Sequence, residues 1–254
     1  MTQMAHLVSI VMPVHNAERY IEAAIRSVMQ QTYQEWELLV VDDASSDASM
    51  QIARRLAASD SRIKVLVNER NTGYPATPRN KAIDAAQGRY IAFLDSDDMW
   101  LPHKLEQQLP FFGDDERVGV VFSNYEKVDA NAQRADRVVI APPYTDYKHL
   151  LLGNVIGNVT GIYDTQRVGK VHFRKVRHED YAMWLSILKR GFVACNTGTV
   201  VALYRVTGDS VSARKIHLLS WQWNIYRRVE KLNIFSSVYY YINYAIRGLI
   251  KSFV

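Results

Sequence analysis

Three carboxylates lie within four residues directly after an apolar run in this sequence. The run is 90–94, YIAFL, and the residues that follow it are Asp95, Ser96, Asp97 and Asp98. Carboxylates this close together repel one another and destabilise a fold unless a cation neutralises them. The run lacks polar alternation, which predicts a central strand covered on both faces, and ligands bind at the carboxyl ends of such strands. The pattern therefore indicates a divalent metal site that holds an anionic ligand, with a solvated, helix-capping turn as the alternative.

Two further acidic pairs occupy positions where they could act on the same ligand. Asp42 and Asp43 close the apolar segment 36–41, and Glu179 and Asp180 open the helical pattern 179–190. Parallel strands present their carboxyl ends at one edge of a sheet, so Asp43 and Asp97 could face one molecule. For the second pair, simple helix capping is the alternative to a role as a base.

Phosphate groups would have to be bound without a glycine-rich loop. The motifs GxGxxG and GxxxxGK[ST] are both absent from the sequence, which disfavours a dehydrogenase and a P-loop nucleotidase. Arg79 and Lys81 open a predicted helix at the same sheet edge and could contact phosphates. We therefore expect metal and side chains to neutralise the phosphate charge.

The first half of the chain alternates regularly between strands and helices, which predicts a right-handed parallel sheet. The second half is less regular. We predict strands at 7–14, 36–41, 62–67, 90–94, 118–125, 192–195 and 200–204, helices at 18–31, 50–58, 79–86, 101–112 and 179–190 (the last amphipathic), and a loop-rich segment at 129–147.

Bulk composition is that of a globular protein, with 254 residues of which 48% are hydrophobic and 22% charged. The one cysteine, Cys195, cannot form an internal disulfide, which fits a reducing compartment. No uninterrupted apolar run of about 18 residues occurs, and the first residues lack a signal-peptide pattern, so we expect neither a membrane span nor secretion.

The basic character of the chain is concentrated at its end. The net charge is +5, and residues 214–254 alone hold seven Lys or Arg against one acidic residue, Glu230. Tyrosines and tryptophans alternate with these basic residues, as suits a membrane–water interface with anionic lipids. The alternatives are a helical tail that only packs on the preceding domain and a nucleic-acid surface, for which nothing else in the sequence speaks.

Four segments in this order resemble glycosyltransferase family 2, the inverting nucleotide-sugar transferases of the GT-A fold. They are SIVMPVHN, QQTYQEWELLVVDDASSD, LDSDD and HEDYAMW, and the resemblance covers about residues 7–210. It implies an α/β fold with a Rossmann-like, mostly parallel sheet flanked by helices. We expect a catalytic domain over 1–215 and a helical tail over 216–254.

The resemblance also implies roles for particular residues in donor binding. It places Asp97 on the metal (Mn²⁺ or Mg²⁺), with Asp95 on the metal and on the ribose or sugar. The nucleotide-sugar set that it implies is Pro13, Val14, His15, Asn16, Glu18, Asp42, Asp43, Arg79, Asp95 and Ser96. Within this set, Asp43 with Asp42 would accept from the uracil ring.

The catalytic base implied by the resemblance is Asp180, with Glu179 beside it. A helix N-terminus should favour its charged form by roughly 0.3–1 kcal/mol. Acceptor or diphosphate contacts are assigned to His178, Trp184 and Arg205. Ser210 and Ser212, in the segment after Arg205, are candidates to clamp the diphosphate or acceptor, with a structural loop as the alternative. His217 would reach the metal if the tail folds back, with a surface histidine as the alternative.

We therefore predict transfer of a single hexose, galactose or glucose, from a UDP-sugar to a saccharide on a polyprenyl-diphosphate-type lipid, forming a β-linkage in O-antigen or capsule assembly. The protein is expected in the cytoplasm, peripheral on the inner face of the cell membrane, with a homodimer as one arrangement. The alternative functions are a non-catalytic sugar- or nucleotide-binding subunit and a membrane-peripheral scaffold.

Overall fold

The computed structural model describes residues 6–206 and 215–253, with side chains for 6–134, 137–206 and 218–248. The predicted contacts of Ser210, Ser212 and His217 lie outside these residues. The strands are β1 (Val8–Val14), β2 (Trp36–Asp42), β3 (Ile63–Val67), β4 (Tyr90–Phe93), β5 (Met99–Trp100), β6 (Val118–Val128), β7 (Arg134–Val139), β8 (Tyr144–Thr145), β9 (Ile162–Asp164) and β10 (Val193–Arg205).

The helices alternate with the strands in the first half and gather at the end of the chain. They are α1 (Ile21–Met29), α2 (Ser49–Ser59), α3 (Ala76–Ala85), α4 (Lys104–Gln108), α5 (Tyr147–Leu150), α6 (Thr165–Val168), α7 (Glu179–Leu188), α8 (Lys215–Asn224) and α9 (Ile234–Phe253). Short 3-10 turns occupy Leu109–Phe112 and Asn158–Thr160, and a π-helical segment, Ile225–Val229, follows α8.

One mixed sheet joins these strands in the order β3-β2-β1-β4-β9-β6-β10-β5, with β7 paired to β6 and β8 to β10. The first four strands are parallel, as predicted, and β10 is parallel to β6. β9 lies antiparallel between β4 and β6. Every residue of β2 and of β4 is buried, because helices cover both faces of the sheet.

Alternate side chains of β1 supply two separate cores. Val8, Ile10 and Met12 pack with α1 and α2 on one face. Val11 packs with α3 and α7 on the other. This two-layer covering leaves the loops at the carboxyl ends of β1, β2 and β4 as the exposed edge where the predicted acidic residues meet.

Several predicted boundaries are wrong, each for a local reason. α3 begins at Ala76 because a proline is tolerated in the first turn of a helix, so Pro78 does not break it. The predicted helix 101–112 is a short α4 followed by a 3-10 turn that contains Pro110. The two predicted strands near 192–204 are one strand, β10, with an irregular register between Asn196 and Val200.

The helix predicted at 179–190 is present as α7, but the prediction that it is amphipathic is wrong. Seven of the ten residues of α7 are buried, since the sheet covers one side and the segment around Tyr226 the other. None of the described helices has both the length and the apolarity needed to cross a bilayer.

Candidate active site

The loops that follow β1, β2 and β4 surround a pocket of about 410 Å³. Because these strands are parallel neighbours, their carboxyl ends bring together residues that are far apart in the chain. The residues that line it include Pro13, Val14, His15, Asp43, Asn71, Tyr74, Arg79, Asp95, Ser96 and Asp97. We call this the donor pocket. Seven of the ten residues predicted to contact the nucleotide-sugar therefore share one pocket with the predicted metal ligand Asp97, and their individual roles stay predictions.

A larger cleft of about 1110 Å³ adjoins the donor pocket and shares Arg79, Asp95 and Asp97 with it. Glu179 and Asp180, the first residues of α7, also line this cleft. The two acidic groups of the sequence thus face one space, which was the geometric condition of the predicted chemistry. Residues of α8 and α9, including Trp221, Tyr244 and Arg247, complete the outer part of this cleft.

Arg79 connects the two acidic groups. Its guanidinium donates to Asp95 Oδ1 at 2.6 Å and to Glu179 Oε1 at 2.7 Å, and its side chain is 6% exposed. Burial alone would lower the pKa of Arg79, but the charges of Asp95 and Glu179 raise it above its usual value. Arg79 is therefore a buried cation that links the turn after β4 to α7, and its predicted contact with phosphate stays a prediction.

Asp97 is an unusual carboxylate. Burial, followed by the negative charge of Asp95, raises the pKa of Asp97 to about 6. No Lys, Arg or His among the described side chains forms an ion pair with it. The neighbouring Asp98 is 2% exposed, its Oδ2 has no hydrogen-bond partner among the described residues, and burial raises its pKa strongly.

These aspartates fit a divalent cation that shares its ligands with a substrate. The described side chains contain no group of three or more His, Cys, Asp or Glu arranged to hold a metal. Mg²⁺ and similar ions typically bind one or two carboxylates and complete their shell with water and phosphate oxygens. Asp97 and Asp95 offer such a partial set. Arg79 balances the charge of Asp95, whereas no cation among the described side chains balances that of Asp97.

Asp180 shows the opposite electrostatics from those we expected. Burial, and then the charge of Glu179, raise the pKa of Asp180 to about 6, so desolvation outweighs the helix N-terminus. Its Oδ2 accepts a hydrogen bond from Asn154 Nδ2 at 3.1 Å. A carboxylate with a pKa near 6 is still ionised at neutral pH and is a stronger base than an ordinary aspartate.

His178 precedes this pair in a left-handed backbone conformation, with φ of 58° and ψ of 45°. Its ring packs edge-on against Trp221 at 5.5 Å between centroids. Burial lowers the pKa of His178, so the ring is neutral near pH 7. Its Nε2 is buried and has no hydrogen-bond partner among the described residues.

Three residues predicted to contact the nucleotide do not line the donor pocket, and the structure corrects their assignment. Asp42 is 3% exposed, and its carboxylate accepts from the backbone and hydroxyl of Ser45. Asn16 accepts from the backbone of Ser46, and Glu18 from that of Ala48 at the start of α2. They tie the loops after β1 and β2 together.

The contact predicted for Trp184 is corrected, because Trp184 is not among the residues that line the cleft, whereas Arg205 lines it and its predicted contact stays a prediction. Trp184 is fully buried, and its ring packs against Phe93 at 5.8 Å and closes over Gly161, where a side chain would clash. Arg205 is 4% exposed; its guanidinium donates to the carbonyl of Asp97 and to two carbonyls after β6, while its backbone N–H donates to Asp98. Arg205 therefore positions residues 95–98, which we call the aspartate turn.

Sequence reasoning missed residues that reach the site from loops. Asn68 and Thr72 donate to the carboxylate of Asp43 at 2.7–3.0 Å, and Asn71 lies 2.8 Å from His15 Nε2. Nothing in their spacing marks them, because the loop 68–75 acquires its position only through these contacts. Lys81 also differs from expectation, since its amine donates to the Val67 carbonyl.

Comparison with known proteins decides the family. The model of the family described as "Glycosyl transferase family 2" matches residues 9–171, which include the donor pocket and the aspartate turn. This chain belongs to glycosyltransferase family 2. The predicted family and enzyme class are therefore confirmed.

Two curated family 2 relatives match this transferase over nearly their whole length. The putative teichuronic acid biosynthesis glycosyltransferase TuaG of Bacillus subtilis is 36% identical over 99% of both chains. The Escherichia coli enzyme WfgD, named UDP-Glc:alpha-D-GlcNAc-diphosphoundecaprenol beta-1,3-glucosyltransferase, is 40% identical over 97% of this chain and 95% of its own.

Solved structures confirm the fold. S. aureus TarS 1-349 in complex with UDP-GlcNAc superposes with a TM-score of 0.70 at 19% identity, covering 94% of this family 2 transferase and 71% of that chain. The mannosyltransferase PcManGT from Pyrobaculum calidifontis, in complex with GDP-Man and Mn2+, gives 0.69 at 20% identity over 90% and 65%. The GT-A fold implied by the sequence is the fold of this protein.

Proposed function

We propose that this transferase moves one hexose, with inversion, from a UDP-hexose to a saccharide carried on a lipid diphosphate. The observation that carries the proposal is that Asp97 and Asp180 line one cleft. The activity for which WfgD is named, UDP-Glc transfer to a diphosphoundecaprenol-linked sugar, favours glucose over galactose and a β-linkage. Together with TuaG it supports a place in bacterial cell-surface polysaccharide synthesis.

The donor would lie in the donor pocket with its base between the loops after β1 and β2. Asp43 is already held in position by Asn68 and Thr72, so its remaining lone pairs can accept from a uracil ring N–H. His15 is exposed at the rim, where its ring can contact the base. The diphosphate would then extend toward Asp95 and Asp97.

Asp97, with Asp95, would hold the divalent metal. When bound, the metal neutralises the nucleoside diphosphate that departs, which replaces protonation of the leaving group. The chain contributes the orientation of these carboxylates: Arg205 fixes the backbone of Asp97, and Arg79 fixes Asp95. Ser96 lies between them in the donor pocket.

Asp180 would take the proton of the acceptor hydroxyl as that oxygen attacks the anomeric carbon. Displacement from the face opposite the diphosphate requires the base and the metal ligands on opposite sides of the sugar, and a cleft lined by both Asp180 and Asp97 would accommodate this arrangement. Asn154 orients the Asp180 carboxylate. Arg79 holds Glu179, whose negative charge helps to keep the pKa of Asp180 raised. Positioned proton transfer of this kind contributes about 10²–10⁴-fold to a rate.

The tail would place this cleft at the cytoplasmic surface of the cell membrane. One face of α9 is exposed and apolar, and we call it the α9 stripe; its members are Ile234, Phe235, Val238, Tyr239, Ile242 and Ile246. The opposite face of α9 is anchored through buried Ser237 and the half-buried Tyr240 and Tyr241. Basic residues beside an exposed apolar stripe suit anionic lipids.

The test is a ligand panel followed by transfer. UDP-glucose with Mn²⁺ should raise the melting temperature more than GDP-mannose does, since a bound ligand stabilises by mass action. Asp97→Asn should lose the metal-dependent part of this rise, whereas the exposed-site control Asp114→Asn should keep it. Transfer to a lipid-diphosphate-linked GlcNAc should give a product with a β-anomeric coupling by NMR. An α-linked product would overturn the inverting mechanism, and no transfer from any UDP-hexose would overturn the donor class.

A further inference from the structure

Two arginines in the outer part of the cleft have no carboxylate partner among the described side chains. Arg177 and Arg247 both line the cleft that contains Asp180, and both are exposed. The other two arginines that line it are committed, Arg79 to a pair of carboxylates and Arg205 to backbone carbonyls. Two free cations beside a cluster of acidic residues are suited to an anionic group of the substrate.

Arg177 contacts two aromatic rings that also line the cleft. Its guanidinium carbon lies 5.9 Å from the centre of the Tyr74 ring, in the loop before α3, and 5.4 Å from that of Trp221 on α8. A cation–π contact uses the face of the ring and leaves the N–H donors of the guanidinium available. Arg177 is thus positioned without using its hydrogen-bonding capacity.

Arg247 belongs to α9 and directly follows Ile246, a member of the α9 stripe. Its neighbours Tyr244 and Gly248 also line the cleft. One helix therefore presents an apolar face to the outside and a cation to the cleft. An acceptor on a lipid diphosphate has the same order of parts, with an apolar chain, then two phosphates, then the saccharide.

We propose that Arg177 and Arg247 bind the diphosphate of the acceptor, while its lipid lies along the α9 stripe and its saccharide reaches Asp180. This assignment rests on the proposed function and adds the site that recognises the carrier. The donor diphosphate is a different ligand, because neither arginine lines the donor pocket. Charge-assisted bonds from two guanidinium groups match the oxygens of a diphosphate.

The first experiment needs no acceptor saccharide. With the donor pocket filled by UDP and excess Mg²⁺, inorganic pyrophosphate is titrated into the full chain by calorimetry. We expect wild-type protein to bind it and the double variant Arg177→Gln/Arg247→Gln to bind it at least about tenfold more weakly. Arg228→Gln is the matched control, since Arg228 is an exposed arginine of the same tail that does not line the cleft. It should bind like wild type.

The second experiment measures transfer to two acceptors that carry the same sugar, one on a lipid diphosphate and one on an uncharged lipid. The double variant should raise KM for the diphosphate acceptor by about 10–100-fold and leave KM for UDP-glucose and for the uncharged acceptor within about twofold. Equal losses for both acceptors, equal pyrophosphate binding in the variant and the control, or a raised donor KM would each overturn the inference. If no lipid-linked acceptor is used at all, the proposed function fails, whereas pyrophosphate binding that depends on the two arginines still supports the site.

Discussion

Asp95 and Glu179 bind the same guanidinium: one terminal nitrogen of Arg79 donates to Asp95 at 2.6 Å, and the other donates to Glu179 at 2.7 Å. One belongs to the turn after β4 and the other to the first turn of α7. The turn after β4 and the start of α7 are thereby linked by one buried cation. We expect this link to set the spacing between the proposed metal ligands and the proposed base.

Replacing Arg79 tests this relationship. Arg79→Lys keeps the charge but removes the fork that reaches two carboxylates, so kcat/KM should fall by about 10–100-fold while the circular dichroism spectrum is unchanged. Arg70→Lys, at an exposed position, is the control and should behave like wild type. Wild-type kinetics in Arg79→Lys would show that the ion pairs of Arg79 do not position the turn after β4 relative to α7.

Asp180→Asn should separate activity from stability. Loss of the base should lower kcat by about 10²–10⁴-fold. The raised pKa means that folding with an ionised Asp180 is unfavourable, and this cost is present above about pH 6. The variant should therefore be about 1–2 kcal/mol more stable at pH 7.5 by urea denaturation.

The stability difference has its own pH signature. Below about pH 4, Asp180 is protonated in both the folded and the unfolded chain, so the variant and wild type should converge there. Asp114→Asn, at an exposed position, should show neither effect. A variant that is less stable than wild type at pH 7.5 would contradict the buried, destabilised carboxylate.

The pH profile of kcat/KM should rise to a plateau with a midpoint of about 6, because transfer needs the ionised form of Asp180. Glu179→Gln removes a negative charge that raises this pKa, so the midpoint should move to lower pH. Asp97 also has a pKa of about 6, but Glu179 is not among its causes. If the midpoint does not move, the rise of kcat/KM with pH belongs to a group other than Asp180. Glu116→Gln serves as the charge-matched surface control.

Removing the α9 stripe should weaken membrane binding without unfolding the protein. Phe235 is 85% exposed and Ile242 51% exposed, so serine at both positions costs little packing. We expect about tenfold weaker sedimentation with vesicles that contain anionic lipids, since each residue contributes buried apolar area at the interface. Phe111→Ser, which removes an aromatic side chain that is 44% exposed and lies outside the tail, should bind as wild type does. Unchanged sedimentation of the stripe variant would show that the tail only packs on the catalytic domain.

The first half of the fold was predictable because its strands are apolar on both faces and its helices keep a 3.6-residue period. β1 to β4 lie within two residues of the expected positions. β9 has three residues, too few to show a period, so its antiparallel insertion could not be predicted. α7 was misjudged because a buried helix and a one-sided helix differ in what covers them, which the sequence does not state.

The site was predictable where a residue type determines its chemistry and unpredictable where contacts do. Asp97 and Asp180 were predicted from their acidity, their place at element ends and the family resemblance; the structure brings both to one cleft, and their roles stay predictions. The tasks of Asp42, Glu18 and Arg205 were not predicted, since each depends on a partner from another loop. Arg177 carried no signal because its aromatic neighbours come from segments far away in the chain.

The left-handed conformation of His178 has a consequence for how α7 starts. Residues other than glycine avoid this region, at a cost of about 1–2 kcal/mol. The chain accepts that cost at the position directly before Glu179 and Asp180, where it sets the angle at which the helix departs. Glycine at 178 would relax the backbone but would also remove the ring that leans on Trp221. The direction in which the Glu179 and Asp180 side chains point thus depends on a strained residue, His178, which itself lines the cleft beside them.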